Sequence, residues 1–151
     1  MAVYRRILVA IDASVQSERC LDHAIALALD QGAALRIVHA VDYIAPPFDT
    51  TNVAEGQLHD AYIDAGNAVV ASALARAGAR GLTVDAAVID TNDPRRPAAD
   101  AILRDIAEWH PDILIVGAHG RTGLARLFLG SVSETILRSA SVPVLVLRTA
   151  G

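Results

Sequence analysis

The sequence predicts an α/β fold: one domain on an open, five-stranded parallel sheet, order 3-2-1-4-5, with helices on both faces. Three observations predict it. Short apolar, β-branched runs alternate with stretches of helical periodicity, the pattern of strand–helix–strand units joined into a parallel sheet. The runs are apolar at successive positions, as strands covered on both faces require. No repeat or linker interrupts the 151 residues, a length typical of one domain. Crossovers in such folds are right-handed. A chain that winds outward from its first strand, then returns to add the fourth beside it, gives this order. Its ligand crevice then lies between the ends of strands one and four.

Each element can be justified in turn. Residues 5–11, around the run ILVAI, form the first strand. Two arginines precede that run, but five apolar residues ended by Asp12 are too short for an export signal. Leu21, Ala24, Ile25, Ala28 and Leu29 then recur with helical spacing, with Ser14 placed to cap the helix and Gly32 to end it. Residues 34–41 form the second strand, and DYIAPPFDTTN, with two prolines, is a loop. An alanine-rich helix over 56–79 closes at GARG, and 82–90 is the third strand. After the loop TNDPRRP, read as holding a solvated charge pair, Ala99, Ile102, Ile106 and Trp109 mark a short helix that ends at His110-Pro111. DILIVG is the fourth strand, 131–140 a helix, and SVPVLVLR the last strand.

Composition excludes several function classes. All thirteen basic residues are arginine, so lysine-dependent phosphate loops and Schiff-base chemistry are ruled out. The net charge is −4 with arginines scattered among more numerous acids, so no nucleic-acid surface is expected. The one cysteine, Cys20, excludes an intrachain disulfide. No apolar run approaches the roughly 20 residues that span a bilayer, so a soluble, cytoplasmic protein without a membrane partner is expected. Histidines 23, 39, 59, 110 and 119 lack zinc-type spacing, and no metal cluster is expected. No G-x-S-x-G elbow supports a hydrolase triad.

The informative stretch is GAHGRTGLARLFLGSVSE, residues 117–134, which joins the fourth strand to the last helix. Gly117 and Gly120 bracket a turn, and glycine lets a ligand approach the backbone. Gly130 precedes Ser131, Val132 and Ser133, whose first-turn amides and hydroxyls can converge on a phosphate without any lysine. A second reading stays open. Ser131-x-x-Glu134 fits a capping box, which would satisfy the same amides internally.

The spacing Gly117-x-x-Gly120, nine residues, then Gly130-Ser131 matches G-x-x-G-x9-G-S/T, and on it the sequence resembles the ATP-binding branch of the universal stress protein family. The opening ILVAIDASVQSERCLDHAIALA and the C-terminal third are similar to that family as well, so the likeness covers the whole chain. It implies a Rossmann-like fold and a bound adenine nucleotide, ATP with or without Mg2+. Asp12 would lie at the adenosine end, Ala10 and Val41 would border the adenine, and Gly117 and Gly120 would clear space for sugar and phosphates. Gly130, Ser131, Val132 and Ser133 would cradle the phosphates, with Arg121 and Arg126 as outer contacts. Residues 121–129 are read as a cover ordered by nucleotide. Ala13 stands where the family more often has glycine, which questions the geometry of that turn.

Three functions compete at this stage. One is an ATP-binding stress protein acting through conformation or interaction. The second is a slow ATPase, less favoured because no base adjoins the loop and lysine is absent. The third is a structural dimer with an empty crevice. The last strand is apolar on both faces and at the sheet edge, so a homodimer through the C-terminal strands is expected.

Overall fold

The structure, a computed structural model, describes residues 1–43, 54–118 and 130–148. Along the chain run β1 (Arg6–Ala10), α1 (Val15–Gln31), β2 (Ala34–Ala40), α2 (Glu55–Ala79), β3 (Asp85–Ile89), α3 (Ala98–Trp109), β4 (Ile113–Gly117), α4 (Ser131–Ser139) and β5 (Val144–Leu147). All pairings in the five-stranded sheet are parallel, and the strand order is β3-β2-β1-β4-β5.

The period-2 geometry of the strands sorts the core into two layers. Ile7, Val9, Leu35, Ile37, Ile113 and Ile115 pack with Cys20, Leu21, Ala24 and Ile25 of α1 and with Ala73 and Ala77 of α2. Leu8, Val38, Leu114 and Val116 pack with Ile102 and Ile106 of α3 and with Ile136 of α4. The reversal between β1 and β4 therefore separates an α1/α2 layer from an α3/α4 layer.

Element ends follow local chemistry. Gly32 takes the left-handed conformation (φ 62°) to close α1, and His110 does the same (φ 54°) for α3. β3 begins at Asp85, later than 82, because Leu82 N–H still bonds the Ala77 carbonyl and Gly81 turns with φ 76°. β5 begins after Pro143, which cannot donate to the ladder but whose carbonyl accepts Leu114 N–H.

Two contacts tie the sheet to the helices that cover it. Arg36 of β2 binds both oxygens of buried Asp105 on α3, at 2.9 and 2.8 Å, and Asp85 of β3 at 2.7 Å. Above β2, a Cβ at Gly66 would stand 2.9 Å from the His39 ring and 3.0 Å from Val88, so glycine lets α2 lie this close. His39 Nδ1 is 3.0 Å from the Ile11 carbonyl, which can only accept; the proton is therefore on Nδ1, and the bond holds the backbone just before Asp12.

Candidate functional site

Two helix starts follow the two central strands, α1 after β1 and α4 after β4. The first follows β1. Asp12 Oδ1 accepts Ser14 N–H at 2.7 Å, Ser14 Oγ accepts Ser17 N–H at 3.2 Å, and Ser17 Oγ accepts Asp12 N–H at 2.6 Å. Ser14 is the N-cap of α1, and side chains take the Asp12, Ser14 and Ser17 amides. Ala13 does not take a left-handed conformation: among the described residues only Asn92 and His110 are non-glycines with positive φ. The turn needs no glycine there.

The second start follows β4, and among the described residues it is open. Gly130 is the N-cap of α4, extended at φ −65° and ψ 160°, and no side chain caps the helix. Glu134 N–H is the first to bond back, to the Gly130 carbonyl at 2.9 Å. The first-turn amides of Ser131, Val132 and Ser133 precede that bond and have no intrahelical acceptor. The capping box does not form: Ser131 is already helical, and Glu134 reaches forward to Arg138 at 2.8 Å. Ser131 is exposed, whereas Ser133 is buried and donates its hydroxyl to the Gly117 carbonyl at 2.5 Å. The Ser133 hydroxyl is thus committed inside the protein, and its amide is what remains for a ligand. Gly130 N–H bonds the Ala118 carbonyl at 2.7 Å, which stitches this open end to β4.

Gly117 lies between the two starts. Its φ is not positive, so backbone freedom is not what it supplies. A Cβ there would meet Cys20 Sγ and the Gln16 side chain at 3.5 Å. Ala10 ends β1 half-buried, in contact with the α3/α4 layer. Val41 is buried just beyond β2; its N–H goes to the Ile89 carbonyl at 2.9 Å, which leaves its own carbonyl as the group able to read a ligand edge. Gly120, Arg121, His119, Arg126 and the cover 121–129 lie outside the described residues.

Electrostatics set the two sides apart. Partial positive charge collects at the open α4 amides, while α1 presents the Asp12 and Glu18 carboxylates. Burial, then the Asp12 charge, pushes the Cys20 thiol up to about 11. A cavity of about 300 Å3 between α1 and α2 includes Asp12, Ser14, Ser17, Ser72 and Arg76. Among the described residues no three His, Cys, Asp or Glu side chains group to hold a metal.

Sequence reasoning missed one polar cluster. Tyr43 donates to Asp90 Oδ2 at 2.7 Å and lies 3.0 Å from His59 Nδ1, and Tyr62 donates to the Tyr43 carbonyl at 3.0 Å. Burial and the Asp90 hydrogen bond raise the Tyr43 pKa. The only local signal was polar aromatic residues beside an alanine-rich helix. Asp93 and Arg95, in contrast, form the exposed pair expected in TNDPRRP, at 3.0 Å.

Residues 3–148 match the model of the universal stress protein family. The chain belongs to that family. A universal stress protein A homolog from Coxiella burnetii is 31% identical, over 98% of this chain and 97% of the relative. A universal stress protein family structure from Burkholderia pseudomallei is 30% identical with TM-score 0.74, covering 97% of each chain. A universal stress protein crystallised in complex with cAMP is 28% identical with TM-score 0.71, covering 99% of this chain and all (100%) of the other. No helix among the described residues of this universal stress protein is long and apolar enough to cross a membrane.

Proposed function

We propose that this universal stress protein binds ATP in the crevice between the ends of β1 and β4 and acts in the cytoplasm through nucleotide-dependent conformation or interaction. The observation that carries the reading is the place of the uncapped first turn of α4, held at the end of β4 by the Gly130–Ala118 bond; α2 and α3 also lack side-chain caps. Amides left without partners cost free energy unless water or an anion meets them, and a phosphate fits both their direction and the helix dipole. The amides of Gly130 to Ser133 would hold the phosphates, although that of Gly130 first has to leave the Ala118 carbonyl. The cAMP complex of a relative supports an adenine nucleotide.

The other residues follow from their chemistry. Asp12 keeps Oδ2 free among the described residues, to accept from the adenosine end or to join an Mg2+ carried by the phosphates. Ala10 and the Val41 carbonyl border the base. The resemblance adds Gly120 and Arg121 on the phosphate side. Binding without efficient turnover is the favoured output, because the sequence holds no lysine to meet leaving-group charge. Isothermal titration of ATP, AMP and GTP, with and without Mg2+, tests the reading. Saturable ATP binding weakened by Gly130→Asp supports it; no binding of any adenine nucleotide refutes it.

We infer a homodimer through β5. Its residues Val144, Leu145, Val146 and Leu147 are apolar, half-buried and on the sheet edge, an arrangement that invites pairing with a second copy. Sedimentation at micromolar concentration should give twice the chain mass; a monomer mass contradicts the dimer.

A further inference from the structure

Gln16 stands in the first turn of α1, yet its side chain reaches the last strand. Its Nε2 donates to the Leu147 carbonyl at 3.1 Å, across 131 residues of sequence. The same carbonyl accepts Ala118 N–H at 2.9 Å. On the way, Gln16 Cγ and Cδ pass 3.5 Å from the place a Cβ on Gly117 would occupy. The side chain therefore lies across the end of β4, between the two helix starts. A carbonyl can only accept, so the NH2 group must face Leu147 and the amide cannot be flipped. Oε1 is then an acceptor held in a fixed place with no donor among the described residues.

The two sides of the crevice sort the ends of a ligand. The α4 side offers donors; the α1 side offers the Asp12 carboxylate and Gln16 Oε1, both acceptors, and the Asp12 charge repels phosphate. Both sides meet at Gly117, whose carbonyl is bonded by Ser133 from α4 and whose α-carbon is covered by Gln16 from α1. A nucleotide with phosphates on α4 brings its next group, the sugar, to Gln16. Ribose hydroxyls are donors of the kind Oε1 lacks.

We propose that Gln16 is a specificity-determining residue: with Nε2 pinned on Leu147, its Oε1 accepts a hydrogen bond from a ribose hydroxyl. This rests on the nucleotide-binding reading above. The test is calorimetric titration of ATP, 2′-deoxy-ATP and 3′-deoxy-ATP into the wild-type chain and Gln16→Met, which keeps the length of the side chain. At least one deoxy analogue should bind the wild type about five- to tenfold more weakly than ATP, the worth of one hydrogen bond. That gap should close in Gln16→Met, whereas a purely structural role would weaken all three ligands alike. In the unaltered protein, the Gln16 side-chain NH2 resonances should shift more with ATP than with the weaker analogue. ATP binding without any ribose discrimination, or a gap that persists in Gln16→Met, overturns this inference and leaves ATP binding intact. Absence of ATP binding overturns both.

Discussion

The starts of α1 and α4 each follow one of the two central strands, β1 and β4, yet they treat their first-turn amides differently. At α1, Asp12, Ser14 and Ser17 consume one another's hydrogen bonds. At α4, Gly130 offers no side chain, and the first-turn amides stay open among the described residues. Every helix start carries unsatisfied donors. Where side chains satisfy them the turn is structural, and where they are left open next to a strand end the turn is suited to an anion. Under the proposed function, phosphate falls on the α4 side of the crevice and sugar on the α1 side.

The largest effect should come from making α4 resemble α1. Gly130→Asp installs an N-cap and a negative charge where phosphate would sit. ATP affinity should fall by about 100-fold or more, because like charges in one site cost several kcal/mol. Stability should rise by only about 0.3 kcal/mol, the small difference between glycine and aspartate caps. Calorimetry and urea melts check the two halves separately. Unchanged affinity would mean that the open amides are not the phosphate site.

Next in size, Ser133→Ala removes the buried bond to the Gly117 carbonyl. It should cost about 1–2 kcal/mol in urea unfolding, with a parallel loss of affinity as the end of β4 loosens from α4. Ser14→Ala removes the cap of α1 instead. It should cost about 1 kcal/mol of stability while leaving ATP affinity nearly intact. A large affinity loss in Ser14→Ala with little loss of stability would move the phosphate site to α1 and break the comparison.

The smallest effect concerns Cys20, buried beneath Gly117 near Asp12. Its thiol is raised from 9.0 to about 11, so folding favours the protonated form. That contribution is fully present below pH 9 and is lost as pH rises toward about 11. Cys20→Ala should flatten the alkaline limb of the stability curve between those values, and native Cys20 should react slowly with thiol reagents at pH 8.

The apolar run of β4 and the α1 stripe Leu21, Ala24, Ile25 and Ala28 were legible because periodicity reports burial directly, whereas Leu29, read as part of that stripe, is exposed. Helix register at a cap was not. Ser131-x-x-Glu134 has the composition of a capping box, but the extended backbone of Gly130 makes Ser131 the first helical residue, one position too late to cap. Sequence fixes residue types at such a junction, while the backbone path decides which residue is the cap. The reach of Gln16 to Leu147 and the Tyr43–Asp90–His59 cluster were equally hidden. Each joins residues far apart in the chain, and no local pattern encodes such a meeting. Ser14 and Gly32, whose roles depend only on neighbours, were placed correctly.

The most direct test of the central claim follows backbone amide resonances of the 15N-labelled protein during an ATP titration. The Ser131, Val132 and Ser133 amides should move most among the described residues, as open donors take up phosphate, while the Ser17 amide, already bonded to Ser14, should move little. Saturating ATP that leaves residues 131–133 unmoved, or that shifts Ser17 more than these three, would contradict the account.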